Sequence, residues 1–185
     1  MMAGVHLPEQ GEDAWNREHV RHMLVGQPVV MIEWARRTQG LIVAANNPLG
    51  LQSIKDLRGC RVMGRQQEAG AFVLLQTLLH DAGLALRDLR LVEPPALTEA
   101  DVAAAVDEGR ADAGLGIASV AHQYRLGFVP LVEERYDLVL WRAAYFEEPF
   151  QKLLAFTRTK HFTERATGLR GYDVSGLGRV HFNAR

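Results

Sequence analysis

The residues best placed to do chemistry run from Gly64 to Leu75, GRQQEAGAFVLL. They read as a strand end, a short loop and a helix start. In open α/β sheets, ligands bind beyond the carboxyl ends of strands, where the first N–H groups of a helix lack partners and favour anions. Gly70 lets the backbone come close, Arg65, Gln66 and Gln67 supply donors, and Glu68 puts a negative charge where an anion would sit. Two readings stand on these residues alone. One is a ligand loop. The other is a turn made by Gly70, with Glu68 complementing the helix dipole and Arg65 on the surface. TEADVAAAVDEG offers a second helix start, at which Thr98 either caps its own helix, its ordinary role, or gives its hydroxyl to a ligand. In EERYDLVL, Tyr136 and Asp137 open a strand after a charged turn, as polar hinge contacts or as a plain strand edge.

Catalysis finds little support. None of Ser53, Ser119 and Ser175 lies in the Gly-x-Ser-x-Gly turn that exposes a nucleophile. His19 and His22 share a helix face without a third ligand nearby, so a solvated face is read there and no metal site. Cys60 has no activating base beside it and reads as a small buried apolar residue. No Gly-x-Gly-x-x-Gly or Walker-type loop is present. The chain is therefore expected to be no enzyme, with no catalytic residue, no metal and no cofactor.

The elements that must hold these residues alternate. Strands are expected at AGVHL, Val29–Ile32, Leu41–Ala45, Arg61–Met63, Leu89–Val92 (closed by Pro94-Pro95), ADAGLG, GFVPLV and YDLVLW. Helices are expected near Trp15–Leu24, Ser53–Leu57, Gly70–Ala82, Thr98–Gly109, Ala118–Arg125, Glu147–Thr157 and Lys160–Thr167. Strands separated by helices of this length give βαβ units, so the class is α/β with a mostly parallel sheet.

Composition narrows the partners. With 185 residues, 48% hydrophobic and 23% charged, the chain can bury a core of one large domain or two small lobes. A net charge of −1 without a separate Lys/Arg block argues against nucleic-acid binding. The single cysteine calls for no oxidising compartment, the N-terminus lacks a basic region followed by an apolar run, and no apolar stretch is long enough to span a bilayer. A cytoplasmic protein without membrane contact is expected.

Taken together, RRTQGLIVAANNPLGLQSIKDL, GRQQEAGAF, AAAVDEGRADAGLG, GFVPLVEERYDLVL and GYDVSGLGRV resemble the periplasmic-binding-protein-like domain of cytoplasmic molybdate/tungstate-responsive regulators. That domain also occurs fused to molybdopterin-biosynthesis proteins. The resemblance covers nearly the whole chain. It implies a type II fold of two α/β lobes with mainly parallel sheets, joined by crossing strands near Leu41–Ala45 and Tyr136–Trp141, with a ligand in the cleft. Lobe one would comprise 1–46 and 128–185 and lobe two 47–127. Lobe one lacks the family's opening elements, so the chain looks truncated and incomplete there. It also lacks the helix-turn-helix that often precedes such domains.

The contacts the resemblance implies are Arg65, Gln66, Gln67, Gly70, Ala71 and Thr98 from lobe two, Tyr136 and Asp137 from the hinge, and His6 and Asn16 from lobe one. The loop departs from the family pattern. Gly64 replaces an Asn, Glu68 a Gly, Ala71 a hydroxyl residue, Phe72 an Arg, and Glu99 a His. Each change makes the site less welcoming to an oxyanion. The expected function is therefore small-molecule or oxyanion sensing, with a protein-interaction module as the alternative. The sheet edge and apolar surface of an incomplete lobe one predict a homo-oligomer.

Overall fold

Two long strands organise the chain in the computed structural model, which describes residues 2–9 and 15–184. β2 (Val29–Val43) runs without a break where two separate runs are expected. β6 (Gly127–Trp141) likewise fuses GFVPLV and YDLVLW through Glu133-Glu134-Arg135, which is not a turn. A turn would leave those charges in water. Here Glu134 and Arg135 are buried, and each meets an opposite charge that keeps the strand intact.

The chain forms two compact units, Met1–Arg37 with Glu134–Arg185 and Thr38–Glu133, and passes between them inside β2 and inside β6. The strands expected to cross, Leu41–Ala45 and Tyr136–Trp141, overlap the C-terminal parts of β2 and β6.

In the first unit, β1 (Met2–Val5) pairs antiparallel with β6, Gly4 opposite Leu138 and Val5 opposite Asp137. β7 (Tyr172–Asp173) and β8 (Val180–Asn183) pair antiparallel with β2. The helices are α1 (Arg17–Met23), α5 (Arg142–Tyr145), α6 (Glu148–Thr157) and α7 (Lys160–Thr167). Strand alternation sends Val30, Ile32, Leu138 and Leu140 against Phe150 and Leu154 of α6, and Val29, Met31 and Val139 against Val20 of α1. Each such buried side chain contributes about 1.5–3 kcal/mol.

The second unit holds β3 (Arg61–Arg65), α2 (Gly70–Asp81), β4 (Arg90–Ala96), α3 (Glu99–Asp107), β5 (Ala113–Ile117) and α4 (Ala118–Gln123). β3 is parallel to β4 and β5, while β2 meets β5 antiparallel, Leu41 opposite Leu115. Parallel pairing is thus confined to the βαβ segments, and the crossing strand closes the set the other way. Ile42 and Met63 pack against Val102, Ala103 and Ala105 of α3. Gly114 leaves room there for Val102, which a Cβ would displace. Pro94 and Pro95 lie inside β4 instead of closing it. β4 ends the strand order, so its outer N–H groups need no ladder partner and proline is tolerated. Cys60 is half-buried and not fully so, its Sγ donating to the Asp56 carbonyl at 3.3 Å.

Candidate functional site

The loop after β3 is built to present backbone donors. Arg65 ends the strand, Ala69 N bonds back to Gln66 O at 3.0 Å, and α2 begins at Gly70 behind Ala69, an N-cap residue with no side-chain hydrogen bond to give. Phe72 N and Val73 N both bond to Ala69 O, at 2.9 and 3.3 Å. The N–H groups of Gly70 and Ala71 have no acceptor among the described residues. At the start of a helix of 12 residues these two donors carry the positive end of the dipole.

The side chains of the loop divide their work. Arg65 is half-buried, with Nε 3.3 Å from Ala96 O and Nη2 2.8 Å from Leu97 O, so it ties this loop to the turn that starts α3. Gln66 N donates to Ala96 O at 3.3 Å and its Oε1 accepts from Arg65 Nε at 3.4 Å. Gln67 and Glu68 are exposed, and Ala71 is buried. Thr98 closes a capping box: its Oγ1 accepts from Asp101 N at 3.1 Å, and Asp101 Oδ2 accepts from Thr98 N at 2.8 Å. The hydroxyl of Thr98 beside Asp101 is the main reason that carboxyl lies below its ordinary range.

The first unit holds the remaining expected contacts in one polar cluster. His6 stacks on Tyr136 with ring centroids 5.7 Å apart and places Nδ1 3.2 Å from Glu134 Oε2. Arg37 also sits over the Tyr136 ring, 4.6 Å from its centroid, and donates to Glu134 Oε1. Asn16 adopts φ 69°, a conformation asparagine tolerates, and frees its side chain for long-range bonds. Its Oδ1 accepts from Leu7 N at 2.6 Å, and its Nδ2 donates to Asp137 Oδ2 at 2.8 Å. Arg135 bonds the same carboxylate at 3.0 Å. Burial raises the Asp137 carboxyl above its ordinary range despite Asn16 and Arg135.

Several members of this cluster escape a pattern-based reading. Glu33, 1% exposed, meets His181 Nε2 at 2.7 Å and Arg36 Nε at 3.3 Å. A side chain on Gly176 would overlap the Glu33 carboxylate. Three buried carboxylates, Glu33, Glu134 and Asp137, are thus each compensated by an arginine. The available signal was their type: charged residues inside otherwise apolar β-branched runs. The described residues contain no group of three His, Cys, Asp or Glu side chains able to hold a metal ion. His19 and His22 are exposed on α1.

One buried side chain stands apart. Gln39 is 0% exposed, and neither its Oε1 nor its Nε2 has a hydrogen-bond partner among the described residues. Each unmet buried group costs about 1–3 kcal/mol, and such exceptions in native folds call for a missing partner.

Two α/β units threaded by two shared strands, with open helix N–H groups beyond a parallel strand, define the class of periplasmic-binding-protein type II folds. The chain belongs to the PBP superfamily, whose PBP-like domain matches residues 1–158. It is similar to the uncharacterized protein YvgK of Bacillus subtilis, 28% identical over 97% of this chain and 58% of that one, so it spans little more than half of that relative. Among solved structures, it resembles the periplasmic aliphatic sulphonate binding protein SsuA of Escherichia coli. The TM-score is 0.52 at 23% identity, covering 82% of this chain and 56% of that one. It also resembles the Synechocystis PCC6803 CcmR regulatory domain in complex with 2-PG. Here the TM-score is 0.57 at 14% identity, covering 76% and 77% of the two chains. These likenesses establish the fold. No helix among the described residues is long and apolar enough to cross a membrane.

Proposed function

We propose that this chain is a non-catalytic small-ligand binding and sensing domain of a regulator. The observation that carries the reading is the pair of unpartnered N–H groups of Gly70 and Ala71 at the uncapped start of α2, for which a ligand oxygen is the natural acceptor. Gln66 and Gln67 flank these donors, and Arg65 holds the loop in place through the Ala96 and Leu97 carbonyls. The first unit offers polar groups of its own: His6 and Tyr136 are only partly buried, and Asn16 donates to the buried Asp137 carboxylate. Solved neighbours that bind a sulphonate or 2-PG support an anionic ligand. The family resemblance names the molybdate/tungstate class, which Glu68, Ala71 and Phe72 disfavour in this chain.

Those same three residues support a second reading, a protein-interaction module descended from a ligand-binding domain. Native mass spectrometry of the purified protein separates the two. The sensor retains a small molecule, or its mass shifts stoichiometrically with an added anion. A bare chain that no small anion shifts, yet that captures one protein stoichiometrically, overturns the first reading.

A further inference from the structure

We infer that Gln39 sets the specificity of the second unit's ligand site, and that its ligand is a small monoanion with its own O–H or N–H donor beside its acidic oxygens. The inference rests on the ligand-binding reading above and narrows it.

Register places Gln39 first. It lies opposite Ile117, the last residue of β5, while Val62 and Met63 of β3 lie opposite Ala113 and Gly114. Gln39 is therefore level with the carboxyl ends of β5 and β3, the edge at which the Arg65–Ala69 loop leads into α2. Strand alternation places it in depth. Ile42 faces α3, so Gln39 faces the opposite side of the sheet, with Leu41 and Val43. α2 touches β3 and β5 but contributes nothing to the α3 core, so it covers that opposite side. The first turn of α2 and the Gln39 carboxamide thus share one edge and one face.

Their combined demands select the ligand. Gly70 N–H, Ala71 N–H and Gln39 Nε2 ask for acceptors, while Gln39 Oε1 asks for a donor. A fully deprotonated tetrahedral dianion satisfies the three donors and turns a negative oxygen toward Oε1. A 2-hydroxy acid or another donor-bearing monoanion satisfies all four groups. A site built to bond a ligand's O–H discriminates strongly against the analogue lacking it, because its buried polar group is then left unpaired.

Glycolate and acetate, which differ by that hydroxyl, are the matched probes, with molybdate as the dianion. Calorimetric titration of the wild type is expected to show glycolate binding at least about tenfold tighter than acetate and tighter than molybdate. Gln39→Leu and Gln39→Met remove the carboxamide at similar volume. Both should melt at or above the wild type and lose the glycolate preference. A preference that survives in either folded variant, or molybdate binding tighter than glycolate, overturns the inference. So do variants that both melt well below the wild type, since the carboxamide is then partnered within the fold. If none of the three probes binds, native mass spectrometry decides. A co-purified donor-bearing acid that is lost in Gln39→Leu upholds the inference. A co-purified molecule without a donor overturns the inference alone, and an empty chain overturns it together with the ligand-binding reading.

Discussion

The hydroxyl of Tyr136 lies against the Cα of Gly4 on the neighbouring strand, where any side chain would overlap it. Gly4 pairs opposite Leu138, so Tyr136 reaches it diagonally across β1 and β6. The glycine leaves room for the ring, which contacts both His6 and Arg37. Gly4→Ala is expected to destabilise the protein by about 1–3 kcal/mol through overpacking. In a Tyr136→Phe background, which removes the overlapping oxygen, the same change should cost measurably less. Equal costs in urea unfolding of both backgrounds would show that the two residues do not compete for space.

Arg37 and His6 hold the Glu134 carboxylate, which is fully buried. Removing one partner of a buried pair leaves an uncompensated charge and costs about 3–5 kcal/mol. Arg37→Met should therefore be strongly destabilising, and Arg37→Met with Glu134→Gln should recover much of that loss. A double mutant no more stable than Arg37→Met alone would refute the coupling.

Acid stability should depend on Asp112. Hydrogen bonds from Arg61, at 2.6 Å to Oδ1 from its side chain and 2.8 Å to Oδ2 from its backbone N–H, hold this carboxyl below its ordinary value of 3.8. A lowered folded pKa stabilises above the unfolded value, and the gain is lost as pH falls through the folded one. Asp137, whose carboxyl is raised by burial, contributes with the opposite sign: its gain is present below 3.8 and lost as pH rises through its folded value. Asp112→Asn should cost about 1 kcal/mol at neutral pH, and its deficit against the wild type should shrink below pH 3.8. A deficit that stays constant from neutral pH to pH 3 would exclude this role.

The loop substitutions predict a weak oxyanion response. Ala71 offers no hydroxyl and Phe72 no guanidinium, and Glu68 adds a charge. Millimolar molybdate or tungstate should barely change the melting temperature. The combined change Glu68→Gly, Ala71→Thr, Phe72→Arg should raise the response, toward about 2.7 kcal/mol when ligand reaches ~100 times its dissociation constant. A large shift in the unmodified protein would show that Glu68 does not oppose the anion.

β1 pairs with β6 on one side only among the described residues, and Met2 on it is 47% exposed. Apolar recesses lined by Leu24, Val29 and Val139 and by Ala144, Phe150 and Leu153 flank the same strand. An open edge with apolar flanks is a surface proteins cover, so a homodimer or larger oligomer is expected. A monodisperse monomer at high concentration in light scattering would disprove it.

By itself the amino-acid sequence determined the α/β class, the helix starts at Gly70 and Thr98, and the loop that presents backbone donors. These are local matters: a capping box spans three residues, a glycine stop acts within one turn, and hydrophobic period is read within a single element. Only the tertiary structure decided that Glu33-to-Gln39 and Glu133-Glu134-Arg135 continue strands, because a charge enters a sheet only when a partner compensates it, and several of the partners here are distant in sequence. His6 reaches Glu134, His181 reaches Glu33 and Asn16 reaches Asp137 across long stretches of chain. The isolation of Gln39 was invisible in sequence for the same reason. Whether a buried carboxamide is satisfied depends on every atom that could approach it, and that is set by how β2, β5 and α2 pack.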